Sequence, residues 1–338
     1  MSLRVALILA SASYGFAAQN YASVADVVSL VRAGVAHHDS DTAIAKLLHK
    51  QKPLDRLDYR VLDGLESEGA GPKTMAELDH LYQTSRDLPP PAVEPSFPEE
   101  PVPSIPDQRR IVHDTQQTAL NYGHSLPDYF CNESIRRFAD TRGLEELVDV
   151  LEVKLTYFDG QENYRVMTVN GRPTTRALEE VGGSVSKGEF GSMLNSVFAG
   201  ESKAVLQWDH WTTVRSRSAH VYKFRIEAKN SAYRLQFRSS NRFMPQSTVV
   251  GQHGYVYIDR ETNQVLRIVA ESDTIPRDFP VRQSSTVLDY DFTDVGGRRF
   301  LLPLRADVRM ATDNIHTRNL VDFHSYRKFT GESTITFQ

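Results

Sequence analysis

The sequence predicts an α+β chain, a small all-α N-terminal domain followed by a large antiparallel curved sheet. Three observations carry this. Apolar residues recur at helical spacing from Ser23 to about Arg86, eight prolines crowd Asp87 to Pro106, and from Asp128 onward the apolar pattern alternates with period two. With 338 residues, 40% hydrophobic and 24% charged, the chain can bury a core in more than one domain. A net charge of -4 gives no bulk attraction for polyanions, so no nucleic-acid partner is expected.

The first element is a targeting segment. MSLRVALILASASYGFAAQ carries Arg4, an apolar run from Val5 to Ala10, and small residues Ala17 and Ala18 before polar Gln19. That is the order of a secretory signal peptide, too short to span a bilayer. Residues 1–18 are therefore expected to be removed near Ala18, leaving a periplasmic or extracellular protein, peripheral at most to a membrane; a buried N-terminal helix is the alternative. Cys131 is the only cysteine, so no intramolecular disulfide can form, and Tyr129 and Phe130 beside it favour a buried thiol.

Residues 19–86 read as a helical domain of four short helices. Val24, Val27, Val28 and Val31 share one stripe, as do Ile44, Leu47 and Leu48, then Leu57, Val61, Leu62 and Leu65, then Met75, Leu78 and Leu81. Ser23 with Asp26 makes a capping box, Asp39 or Ser40 caps the second helix, Pro53 ends it, and Pro72 suits the first position of the fourth. Residues 87–106 form a Pro-rich linker, stiff and solvated. Residues 107–338 begin with a helix to about Asn121 and continue as short strands punctuated by Asp159-Gly160, Asn170-Gly171 and Gly296-Gly297 turns. One further helix, Gly188 to Phe198, places Phe190, Leu194, Val197 and Phe198 on one stripe that needs a sheet face to cover.

The stretch EGAGPKTMAEL, Glu68 to Leu78, looks like a phosphate-binding turn. It fails as a Walker loop, because Pro72 precedes Lys73 and Ser67 holds the earlier glycine position. It also resembles the turn of a DNA-binding helix-hairpin-helix, yet a glycine turn before a proline-started helix explains it without a phosphate. Ser184 and Lys187 match S-x-x-K without the S-D-N and K-T-G elements that accompany it. His37, His38, Asp39, Asp41, His113 and Asp114 lack metal-ligand spacing, and Asp289, Asp291 and Asp307 form no recognisable acid/base pair. No cofactor, no metal and no catalytic residue are assigned.

Two segments, GYVYIDRETNQVLRIVAESDTIP (Gly254 to Pro276) and STVLDYDFTDVGGRRFLLPLRADVRM (Ser285 to Met310), resemble the periplasmic lipoprotein-carrier superfamily, which includes the lipoprotein-sorting carrier and receptor and related stress-sensor half-barrels. Ile258-Asp259, Asp289-Tyr290, Gly296-Gly297 and Leu302-Pro303 carry the resemblance, which covers the C-terminal two thirds of the chain. It implies an open half-barrel with covering helices and an apolar concave face, able in several members to hold acyl chains. No ligand residue transfers by motif. Strand parity and the helical stripe instead nominate Phe190, Leu194, Phe198, Trp208, Tyr222, Phe224 and Tyr290 as cavity lining, residues that an ordinary core would also use. The expected function is an exported non-enzymatic binding protein, a carrier or sensor of a lipid, an acyl chain or a lipidated peptide. The alternative is an envelope protein-protein interaction module with no small ligand.

Overall fold

The computed structural model describes residues 20–98, 100–140, 145–159, 161–181, 191–237 and 246–328. The predicted signal peptide, Phe190 and the Ser184 to Lys187 motif lie outside the described residues. Two compact units divide the chain, Met1–Pro98 and Glu99–Gln338.

In the first unit the elements are β1 (Asn20–Ala22), α1 (Val24–Ala36), α2 (Asp41–Leu48), β2 (Gln51–Pro53), α3 (Tyr59–Ser67) and α4 (Pro72–Ser85). Helix starts follow the capping chemistry. Ser23 and Asp26 form a reciprocal capping box, Ser40 accepts from the Ala43 amide, and Asp58 accepts from the Val61 amide. The expected stop at Pro53 differs: α2 ends at Leu48, and Pro53 closes a short strand paired in parallel with β1. Proline is tolerated there because the end of a short edge strand has no ladder bond to lose. Valine and leucine stripes fill the interior, with Val24, Val27, Leu48, Leu65 and Leu78 fully buried. Gly64 is required by packing, since a Cβ there would lie 2.2 Å from the Phe97 ring. Phe97 comes from the proline-rich stretch, and Arg32 sits 5.0 Å over the same ring while pairing with Glu68 at 2.7 Å.

The second unit begins with α5 (Ile105–Leu120) and α6 (Tyr122–Ser125), then β3 (Tyr129–Asp140), β4 (Glu145–Phe158), β5 (Gln161–Val169) and β6 (Arg172–Pro173). It continues with α7 (Ser192–Phe198), β7 (Val205–Val214), β8 (Arg217–Ile226), β9 (Arg234–Phe237), β10 (Gln246–Val249), β11 (Gly251–Asp259), β12 (Val265–Asp273), β13 (Val281–Val295), β14 (Arg298–Thr312) and β15 (His316–Lys328). Strands β9 and β10 pair as a separate hairpin. The others form an 11-stranded antiparallel sheet in the order β6-β5-β4-β3-β15-β14-β13-β12-β11-β8-β7. Its edges, β6 and β7, do not meet, so the sheet is an open half-barrel. Asn170-Gly171 and Gly296-Gly297 supply the positive φ angles, 49° and 72° and then 63° and 80°, that tight hairpins need.

The sheet sorts its residues by face. On the helix-bearing side Tyr222, Phe224, Val256, Ile258, Ile268, Leu288 and Tyr290 are buried. On the other side lies a ladder of ion pairs. Asp289 joins Arg267 at 2.7 Å and Arg215 at 2.9 Å, while Asp307 joins Arg318 at 2.7 Å and Arg309 at 2.9 Å. Burial pushes the Asp307 carboxyl up, but the two arginines outweigh it and hold it at about 2. These aspartates are therefore structural anchors between strands. Cys131 is buried in the sheet, and burial raises its thiol well above the ordinary range, which suits an inert packing residue.

Candidate ligand-binding site at the sheet edge

The site is built where α5 crosses the last strands of the sheet. Ser104 caps α5, accepting from the Asp107 amide at 3.3 Å, and Pro106 occupies the first turn, where its missing N–H costs nothing. The helix lays Ile111 against Tyr222 and Ile258, with Val112, Leu206 and Trp208 packed around them. Two side chains fasten it further along: Thr118 Oγ1 donates to the Asn263 carbonyl at 3.0 Å and Gln116 Nε2 to the Phe198 carbonyl at 2.8 Å.

A β-bulge shapes the strand side. Trp208 pairs with Tyr222, but the register then shifts so that His210 pairs with Val221 and Trp211 with His220. The extra residue, Asp209, turns Trp211 to the same face as Trp208. The result is an aromatic ladder: Trp208 meets Trp211 edge-on at 6.0 Å, Trp211 lies 4.2 Å from the His220 ring, and His220 lies 6.4 Å from Tyr222.

Opposite the ladder, the β11–β12 turn presents Arg260. Buried Asp259 holds that turn, accepting from the Thr262 amide at 3.0 Å and from Arg217 at 2.9 and 2.8 Å. Arg260 stacks 4.2 Å over the Trp211 ring, and its Nη1 donates to both Glu100 carboxylate oxygens at 3.0 and 2.8 Å. The indole Nε1 of Trp211 donates to the Pro101 carbonyl at 3.1 Å.

Between these parts is a cavity of about 450 Å³ lined by Pro103, Ile111, Trp211, His220, Arg260 and Asn263, with Asp107, Arg110 and Glu261 at its polar wall. His220 is 7% exposed, and its Nδ1 has no hydrogen-bond partner; the buried Nε1 of Trp208 has none either. Burial, helped by the nearby Arg260 charge and opposed by Glu100, lowers the His220 pKa to about 4. The imidazole is therefore neutral at neutral pH and offers one donor and one acceptor. Burying unpaired polar groups is costly, so two in one aromatic cluster mark a place where a ligand's polar atoms would be rewarded.

The nominated lining residues fall into separate groups. Trp208 and Tyr222 come together in this cluster, and Phe224 stands beside Leu206 in register. Leu194 and Phe198 are buried on α7, which meets α5, while Tyr290 is covered by Tyr122 edge-on at 5.9 Å. Trp211 and Arg260 escape a parity reading, whereas His220 shares the parity of Tyr222, Phe224 and Ile226 but is not among the nominated residues. The bulge at Asp209 breaks the period-two count before Trp211, and Arg260 enters from a turn.

The phosphate-like turn has a different outcome. At α4 the Lys73 and Thr74 amides each donate to Asp41 at 2.8 Å, and Thr74 Oγ1 donates to it at 2.7 Å. An internal carboxylate thus occupies the position an anion would take, and Lys73 Nζ donates to Thr42 at 2.7 Å.

The half-barrel is similar to solved lipoprotein-sorting proteins. A LolA superfamily protein from Nitrosomonas europaea matches 68% of this chain and 97% of its own, at 10% identity and a TM-score of 0.33. An outer membrane lipoprotein-sorting protein domain from Vibrio parahaemolyticus matches 66% of this chain and 93% of its own, at 11% identity and a TM-score of 0.34. The MucA/MucB complex of Pseudomonas aeruginosa matches 67% of this chain and 100% of its own, at 9% identity and a TM-score of 0.20. No protein-family profile and no curated protein matches. At such identities and TM-scores, function has to be read from this chain's own geometry.

Proposed function

We propose that this is an exported, non-enzymatic binding protein of the cell envelope whose half-barrel takes an apolar ligand with a polar end, an acyl chain or a lipidated peptide. One observation carries the reading: an aromatic cluster, Trp208, Trp211, His220 and Tyr222, borders a cavity through Trp211 and His220 and holds two buried polar atoms without partners. The volume of about 450 Å³ is within the roughly 300–1,000 Å³ of small-molecule sites. The polar end would meet His220 and Arg260, and the apolar part would lie against Ile111 and Pro103. Among the described residues no helix is long and apolar enough to cross a membrane, which suits a ligand collected at a bilayer surface by a protein outside it.

The second reading is an envelope protein-protein interaction module with no small ligand. It is favoured by the burial of Leu194, Phe198, Tyr222, Phe224 and Tyr290, which the chain's own packing already covers. Titration of the delipidated full chain with a fluorescent fatty acid separates the two. Saturable binding that weakens at least about tenfold in Trp208→Ala supports the lipid reading, and no binding up to probe solubility leaves the interaction module.

A further inference from the structure

We propose that the rim at Trp211 and Arg260 is also a recognition groove for an extended, acidic, proline-containing peptide, filled in this structure by the chain's own Glu100-Pro101-Val102-Pro103. An acyl ligand is not required for it. Proline fixes a backbone with no internal hydrogen bonds, so the carbonyls of such a segment point outward as acceptors. Aromatic-lined grooves bind these segments at low entropic cost. Here the Trp211 indole takes the Pro101 carbonyl at 3.1 Å, and Arg260, stacked on that indole at 4.2 Å, takes the Glu100 carboxylate at 2.8 and 3.0 Å. The grip is made by one backbone carbonyl and one carboxylate. Any chain with an acidic residue before a proline can present both.

The groove is also incompletely filled. Beyond Pro103 the cavity of about 450 Å³ remains, walled by Asp107, Arg110, Ile111 and Glu261, with His220, whose buried Nδ1 has no partner, among its lining residues. Contacts that merely park a linker leave no reason for a nine-tenths buried imidazole to lack a partner. A longer or bulkier peptide in the same path meets the His220 side chain that lines the cavity. The tethered segment competes at an effective concentration of roughly millimolar, so a peptide from another chain binds visibly only when the internal one is released.

The chain contains two tryptophans, Trp208 and Trp211, both in this cluster, so tryptophan emission excited at wavelengths that spare tyrosine reports on the groove. The test uses full-length protein carrying Glu100→Lys, which sets a lysine against Arg260, and a fluorescein-labelled synthetic peptide of sequence EEPVPSIP read by anisotropy. Expected are a change in tryptophan emission on release and saturable peptide binding at least about tenfold tighter than to the parent chain. Adding Trp211→Phe, which keeps a ring and removes the N–H, or Arg260→Ala abolishes that binding. A dimer that forms by exchange of this segment between two copies also supports the groove. If Glu100→Lys does not fold by circular dichroism, Glu100→Gln carries the same test. A folded, released variant that binds no peptide overturns the proposal and leaves the contact as linker packing only.

Discussion

Two places in this chain look like ligand sites, and they treat their polar groups in opposite ways. At the start of α4 the glycine turn, proline and lysine suggest a phosphate cradle, yet Asp41 takes the turn's amides and the Thr74 hydroxyl with bonds of 2.7 and 2.8 Å. At the rim between α5 and β7, no motif announces a site, yet His220 Nδ1 and Trp208 Nε1 are buried without partners. The first region is complete in itself and therefore structural. The second carries an unmet demand for hydrogen bonds, a cost to stability that a binding function would explain.

The contrast is sharpest in the response to polar deletion. Asp41→Ala strips three bonds from the α4 turn and leaves the buried Thr74 hydroxyl only its longer bond, 3.3 Å, to the carbonyl of residue 41. A loss of about 2 kcal/mol follows in urea unfolding of the first unit, and a change below about 0.5 kcal/mol would break the comparison. Acid should act next. The His220 pKa, about 4, lies below its unfolded value, so the unfolded chain binds more protons between about pH 6.5 and 4. Stability is lost as pH falls through that window and levels off below it. The expected loss is on the order of 2 kcal/mol, absent in His220→Phe. Asp307, also held near 2, adds a separate loss only below about pH 4.

His220→Phe gives the opposite sign at neutral pH. Removing an unpaired polar group in favour of a ring of similar shape should leave the midpoint unchanged or raise stability by about 1 kcal/mol. A loss above 2 kcal/mol would show that the imidazole is a satisfied core residue. The smallest effect belongs to Lys73→Ala, within about 0.5 kcal/mol in stability and with no change in the retention of the chain on a phosphocellulose column.

Most of the architecture was legible because its signals are local. Ser23, Ser40 and Pro72 start helices by short-range hydrogen bonds or a fixed φ, and Asn170-Gly171 and Gly296-Gly297 dictate hairpins within four residues. Trp208 and Tyr222 were legible as well, because alternation survives until the bulge. What was hidden depends on distance or on broken periodicity. Trp211 changes face through one inserted residue, and its bond to Pro101 joins residues 110 apart in sequence. Asp41 reaches Thr74 across 33 residues, so the turn that looked open to phosphate is filled by a side chain no local motif includes.

The central claim is that the aromatic rim is a ligand site and not a flaw of packing. Native mass spectrometry of the full chain purified from an envelope fraction, beside Trp208→Ala, tests it most directly. The account predicts a co-purifying mass on the parent chain that falls away in the variant while both remain folded. A bare protein mass for the parent chain, unchanged after incubation with envelope lipids and with acidic proline peptides, would contradict it.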